Sequence, residues 1–420
     1  MHIYKTTFSS LRFTNFRLYF YGQVISLSGN WMQQIAMSWL VYRLTGSVAL
    51  LGTIYFISQI PMFFMTPLSS AIIDKVNKKM VLVLTQILFI LHALTLTILY
   101  FTNLIEVWHL ISLSFLLGII NAFDNPTRQA FYTSLVPKEF IINAVALNST
   151  VLNATRLIGP AIAGFLIVIV GEGGCFLINS ITYIFSIIFL LMIRLDKDSI
   201  KHKPISIIND IKEGFNYMHK NIPIKVLMAI TLLFCFFIFP LITFIPAYVK
   251  DILNMGSETL GLIMSFIGVG SLLASLYIAS RKEILSLGKI QFIGILVCGL
   301  IVMPFFFVES LIITILLSII LGFTMVCAIA STNTILQALT HNEMKGRIMG
   351  YYLMFFTLGA SFGNLFFGYL ADILSLPYSM LISGALTIIG LLFYIPYYTR
   401  VNQLTKDKYI EIGILPNIPL

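Results

Sequence analysis

The sequence predicts an all-α integral membrane protein, with twelve transmembrane helices in two six-helix pseudo-repeats. Three features predict it. Apolar residues gather in blocks long enough to cross a bilayer. Basic residues gather in every second connection. Small-residue motifs recur at a nearly constant offset.

Of the 420 residues, 58% are hydrophobic and 10% charged, against about 45–50% and about 25% in a soluble domain. A helix needs about 20 residues to cross a hydrocarbon core about 30 Å thick. The blocks meet that length at 18–42, 49–73, 80–102, 107–127, 143–170 and 174–194, then at 224–249, 257–280, 288–308, 310–338, 349–374 and 377–399. Backbone polar groups must be paired inside lipid, so each block is a helix or a barrel strand. Barrel strands alternate polar with apolar over about 10 residues. The run Ile181 to Ile193 does not alternate, which selects the helix. The first helix is too long for a signal-peptide core and no small-residue cleavage site follows it, so no cleavable signal is expected.

With the N-terminus inside, 23 of the 26 Lys and Arg fall in connections or ends that face the cytoplasm. Arg43 and Lys250 fall outside, and Arg156 lies within a helix. The positive-inside rule places both termini in the cytoplasm. The formal charge of +9 is then a topology signal at a membrane surface and not a nucleic-acid footprint. The four cysteines, Cys175, Cys235, Cys298 and Cys327, share no short spacing, so they read as small packing residues and not as a metal or disulfide set.

The longest polar stretch divides the chain into residues 1–194, a linker of 195–222, residues 223–400 and a cytoplasmic tail of 401–420. In the linker, Ile205, Ile208, Ile211, Phe215 and Met218 recur at helical spacing with Asp210, Lys212 and Glu213 between them. That pattern predicts an amphipathic helix along the inner membrane face. The halves look duplicated. Gly46-Ser47 and Leu51-Gly52 recur as Gly256-Ser257 and Leu260-Gly261, and Glu139, Gly159 and Gly164 recur as Glu343, Gly363 and Gly368. Repeats of this kind build transporters that move around a site near the midplane.

Several motifs carry a family resemblance. The second connection reads Asp74-Lys75-Val76-Asn77-Lys78-Lys79. It resembles the loop signature of the major facilitator superfamily, with Ser70 and Asn77 standing where that signature has glycine. Asp74 can face helix N-termini, whose dipoles favour a carboxylate; Asn77 tolerates left-handed backbone; the lysines also serve topology alone. Further on come Asn121-Ala122-Phe123-Asp124-Asn125-Pro126-Thr127-Arg128, then Leu135 to Glu139, Asn143 to Ser149, Arg156, and Gly159-Pro160-Ala161 with Gly164. With Glu343 to Arg347, these resemble the branch containing the enterobactin exporter and macrolide efflux proteins. The resemblance implies two six-helix bundles around a cavity and proton-coupled export. Gly159, Pro160 and Gly164 resemble the helix-five motif of drug exporters. There small residues allow close approach and the proline removes a backbone bond.

In that superfamily helices one, four, seven and ten line the cavity. The substrate candidates there are Asn30, Gln33 and Gln34 on one face of helix one, Asn121, Phe236 among the helix-seven aromatics, and Asn333 with Gln337. The amide face meets either the cavity or a neighbouring helix. Asp124 and Arg156 are charges inside spans, which are functional or paired. Asp124 is a candidate proton carrier or part of a gate network, and Arg156 a candidate for attracting anions. The proton-coupling and gate candidates are Asp74, Lys75, Lys78, Lys79, Asp124, Arg128, Arg156 and Arg347. His92 reads as a packed, hydrogen-bonded histidine. No phosphate-binding loop, metal-ligand spacing or catalytic constellation is legible, so neither cofactor nor enzyme activity is expected. The expectation is a monomeric secondary-active exporter in a bacterial-type inner membrane, moving a siderophore or a drug against protons. A nutrient or lipid importer, or a membrane receptor or enzyme, are the alternatives.

Overall fold

The computed structural model describes residues 8–73, 76–194, 207–281, 286–341 and 343–411. The described residues form helices and connections with no strand among them. The first span, α1, runs Thr14–Thr45 and stops at Gly46, whose φ of 62° and N–H to the Tyr42 carbonyl make a left-handed C-terminal cap. Next come α2 at Val48–Ile73, α3 at Lys78–Phe101 and α4 at Val107–Ser134. A capping box of Glu106 and His109 opens α4. Asn77 is not left-handed: with φ −68° it is extended and caps α3, its side chain accepting from the Met80 N–H at 3.2 Å.

One helical run, Ile141–Met192, holds two spans. Gly171, at φ 71° and ψ 174°, divides it into α5 (141–170) and α6 (172–192). A side chain would strain that backbone. The linker contributes the helix Ile207–Lys220. Span α7 comes in two arms, Ile222–Ile238 and Pro240–Asp251, the proline lacking the N–H that would continue the first arm. Then follow α8 at Ser257–Ala279, α9 at Ser286–Phe305, α10 at Leu311–Leu339, α11 at Lys345–Leu374 and α12 at Leu376–Glu411.

Ten described runs are long and apolar enough to cross a membrane, and one of them, Lys138–Met192, has 55 residues, the length of two spans. Thr14–Thr45, with 32 residues, is long enough, and its amides dilute its apolarity. Twelve spans result. The last helix continues beyond its apolar stretch to Glu411, and Tyr409 on that extension is fully buried among Met218, Leu227 and Tyr352. That cluster docks the linker helix through Met218.

Contacts divide the chain into two compact units. The first takes residues 1–46, 57–204 and 255–265, and the second takes 47–56, 205–254 and 266–420. The opening turns of α2 therefore pack in the second unit, and those of α8 in the first. In the first unit Phe16, Tyr19, Leu82, Phe131 and Leu147 form a core, and Phe89 stacks on Tyr183 at 5.0 Å. The borrowed turns are seated by glycines. A Cβ on Gly261 would lie 2.6 Å from the Pro160 carbonyl and 2.9 Å from the Gly164 Cα. A Cβ on Gly52 would lie 2.1 Å from the Asn364 carbonyl.

Candidate functional site

The densest polarity inside the spans lies in the first unit, between α1, α3, α4 and α6. Asp124, 3% exposed, sits one turn before Arg128 on α4, so the two side chains share a face. Arg128 donates through Nε to Asp124 Oδ2 and through Nη1 to Gln23 Oε1. Thr85 Oγ1 donates to Asp124 Oδ1 at 2.7 Å, and Gln86 Nε2 donates to the same oxygen at 3.2 Å. The charge in α4 is therefore a carboxylate held by donors on two helices, with a guanidinium as counter-ion. The ion partner of Asp124 is Arg128; among the described residues Arg156 forms no ion pair with it.

A second network lies further along the same helices. Asn179 Nδ2 donates to Gln33 Oε1 at 2.7 Å, and Gln33 Nε2 meets His92 Nδ1 at 3.3 Å. His92 Nε2 reaches the Leu113 carbonyl at 3.1 Å. Because the Gln33 amide nitrogen can only donate, this assigns the proton of His92 to Nε2. Tyr183 donates to Asn30 Oδ1. Asn30 and Gln33 are thus engaged by neighbouring helices of their own unit, Gln34 on the same helix is exposed, and Asn121 is half-buried.

Arg156 is exposed on α5 in mid-span. A guanidinium facing hydrocarbon would cost at least about 2.5–3.5 kcal/mol, so a charge at that depth marks a functional or paired position. On the same helix a Cβ on Gly159 would meet Trp31 at 2.7 Å, and Pro160 lies inside the helix. In the second unit the Phe236 ring packs against Phe237, Phe366 and Phe367 at 5.2–5.8 Å. Asn333 is half-buried and Gln337 exposed, and Gln337 donates to Asn333 one turn away.

Among the gate candidates, Asp74 and Lys75 lie outside the described residues. Lys78 begins α3 and is half-buried. Lys79 Nζ donates to the Leu191 and Ile193 carbonyls at 3.1 and 2.8 Å, a cation at the C-terminus of α6. Arg347 Nη1 donates to Glu213 Oε2 at 2.6 Å and ties the linker helix to the start of α11.

Three functional-looking groups escaped the sequence reading. Glu172, 4% exposed, accepts from Arg43 Nε and from the Tyr100 hydroxyl, both at 2.7 Å. Asp372, at the end of α11, accepts from Ser47 Oγ at 2.7 Å and from the Val48 and Ala49 N–H groups at 3.0 and 3.3 Å. It caps the N-terminus of α2, where the dipole favours an anion. Thr85 and Gln86 are the third. Glu172 and Arg43 carry opposite charge at the same end of the bundle, a signal available in the sequence; the pairings of Asp372 and Gln86 follow only from tertiary contacts.

A twelve-span helical chain with charges buried inside its spans defines a polytopic membrane transporter. The sequence profile described as "Transmembrane secretion effector" matches residues 5–411, and the chain belongs to that family, in the major facilitator superfamily branch of siderophore and macrolide transporters. It is 23% identical over 402 residues to the Staphyloferrin A transporter of Staphylococcus aureus (strain NCTC 8325 / PS 47), covering 94% of this chain and 98% of the relative. It is 22% identical to Macrolide efflux protein A of Streptococcus pyogenes, covering 94% and 99%. Among solved structures, a POT family transporter in complex with 5-aminolevulinic acid aligns with a TM-score of 0.73 at 13% identity, over 92% of this chain and 96% of that one. The nucleoside transporter NupG aligns with a TM-score of 0.71 at 13% identity, over 92% and 98%. These structures show the shared fold. The protein is a small-molecule transporter and not an enzyme.

Proposed function

We propose that the protein is a proton-coupled exporter of an anionic or amphipathic small molecule, a siderophore or a macrolide-like drug, working as a monomer in the inner membrane with both termini cytoplasmic. The observation that carries this reading is Asp124, a carboxylate inside a span, held by Arg128, Thr85 and Gln86. A buried carboxylate with one counter-ion can exchange a proton for a change in its hydrogen bonds. Asp124 is the proton carrier in this reading. Arg156, a cation in mid-span without an ion partner among the described residues, draws the anionic group of the substrate. Gln34 and Asn121 supply polar contacts in the first unit, and Asn333 and Gln337 supply them in the second, which also carries the Phe236 aromatics. Residues 1–194 and 223–400 are the two repeats in this reading, and Asp74, Lys75, Lys78, Lys79 and Arg347 are the gate candidates of their cytoplasmic connections.

The test uses purified protein in liposomes under an imposed proton gradient, with a macrolide and a carboxylate siderophore as probes. Uphill transport of one probe against the proton flow supports the reading, and a protonophore abolishes it. Asp124→Asn binds the probe and carries it only downhill. Normal uphill transport by Asp124→Asn removes the carrier assignment. Movement of the probe with the protons, in the direction of import, removes the exporter reading.

A further inference from the structure

We propose that Thr85 and Gln86 are positioning residues that serve both protonation states of Asp124, donating to the carboxylate and accepting from the acid. This inference rests on the reading of Asp124 as the proton site. All three groups touching the Asp124 carboxylate oxygens donate: Arg128 to Oδ2, Thr85 and Gln86 to Oδ1. That set fits the ionised form. Gln86 is fully buried, and its Oε1 accepts from no described residue. Exchanging the two ends of the amide would set its oxygen against the carboxylate oxygen, so the orientation with nitrogen toward Asp124 is the one the ionised form selects. The idle oxygen is what the ionised form leaves over.

Adding a proton to Oδ1 turns that atom into a donor that needs an acceptor. Arg128 has none to offer. Thr85 and Gln86 do. The Thr85 hydroxyl also reaches the Leu82 carbonyl at 2.9 Å, so its single hydrogen can turn there and expose a lone pair to the acid. The Gln86 amide can rotate and present Oε1, ending its isolation. The other titratable or charged groups near the pair are Tyr19 on α1, hydrogen-bonded to Arg128, and Tyr183 on α6, hydrogen-bonded to Asn30. Tyr19 accepts from the guanidinium and Tyr183 donates to Asn30, and among the described residues the hydrogen bonds to the Asp124 oxygens come from Arg128, Thr85 and Gln86. The two ambivalent groups beside Asp124 are therefore the pair on α3, adjacent in sequence and aimed at one oxygen.

The test is infrared titration of the carboxylic C=O band of the purified full-length protein in lipid, with the proton itself as probe. The band absent from Asp124→Asn identifies Asp124. In Gln86→Met the ionised form loses a charge-assisted bond and the acid loses a weaker neutral one, so the titration midpoint rises by about one pH unit and the band frequency rises. Thermal unfolding stays near wild type. An unchanged midpoint and frequency in Gln86→Met, with the Asp124 band present, overturns the inference and leaves the proton site intact. No Asp124 band at any pH overturns the proton-carrier reading, and the inference with it. If Gln86→Met does not fold, Thr85→Val carries the same expected shift and the same overturning result.

Discussion

Arg43 and Glu172 show how unequal two partners of one ion pair can be. The Glu172 side chain is 6% exposed and the Arg43 side chain 43%. Truncating the arginine leaves a buried carboxylate with only the Tyr100 hydroxyl. Truncating the glutamate leaves a cation that can turn to water. Arg43→Ala is therefore expected to lower stability by up to about 3 kcal/mol, and Glu172→Ala by clearly less. Thermal unfolding of the two purified variants in detergent checks the order. Arg156 carries a different expectation. Its loss removes a charge-assisted contact worth about 1.5–3 kcal/mol, so Arg156→Ala should weaken an anionic ligand about tenfold or more and a neutral analogue little. Equal losses for both ligands would assign Arg156 to the fold. Asp124 and Arg156 were legible in the sequence because charges inside spans are rare. The partner of Asp124 was legible in principle, since Asp124 and Arg128 are four residues apart on one helix. The donors Thr85 and Gln86 were not, because a short polar pair in a span carries no sign of which neighbour it faces.

At the scale of elements, the recurring glycines have the same task in both units. Gly164 on α5 faces Ser257 and Gly261 of α8, and Gly368 on α11 faces Val48, Ala49 and Gly52 of α2. The matched offsets read from the sequence thus mark two equivalent helix seams. The seams differ in one respect. Asp372 sits one turn beyond Gly368 and caps α2, whereas Val168 holds the corresponding place beyond Gly164. Spans, loop breaks and the duplication were legible because hydrophobic length, Gly46 and the Gly-Ser pairs are local signals. The carboxylate cap was not, because it joins residues over 300 positions apart. Two predictions follow from the seams. Gly52→Leu places bulk where even a Cβ would stand 2.1 Å from a backbone carbonyl, so the α2–α11 seam cannot close and transport should be lost with protein still in the membrane. Asp372→Ala removes the cap, worth about 1 kcal/mol, and should open the seam more often. A cysteine at Ala49, 6% exposed, in a background without the four native cysteines, should then react several-fold faster with an impermeant maleimide added outside. Unchanged reactivity would make Asp372 a surface charge without influence on the seam.

At the scale of the whole molecule, the loop charges and the pairings bear on one question, which face of the membrane holds the ends of the chain. Of the exceptions to the charge rule, Arg43 is neutralised by Glu172 and Arg156 lies within a span, so neither opposes the assignment. Lys79 and Arg347 meanwhile bind helix ends and the linker helix at the face assigned to the cytoplasm. The end of α12 continues as helix to Glu411 with Tyr409 buried against the linker helix cluster. A fusion at Arg400 would cut that docking, so the informative fusion point is after Glu411. A reporter active only in the cytoplasm should be active there. Epitopes inserted beside Gly46 and Gly256, in the short connections after α1 and α7, should be reached by antibody on intact spheroplasts. An active periplasmic reporter after Glu411, or epitopes reached only after lysis, would invert the topology. Inversion would also set Lys79, Arg347 and the linker helix at the outer face and leave 23 of the 26 Lys and Arg outside, against the charge rule.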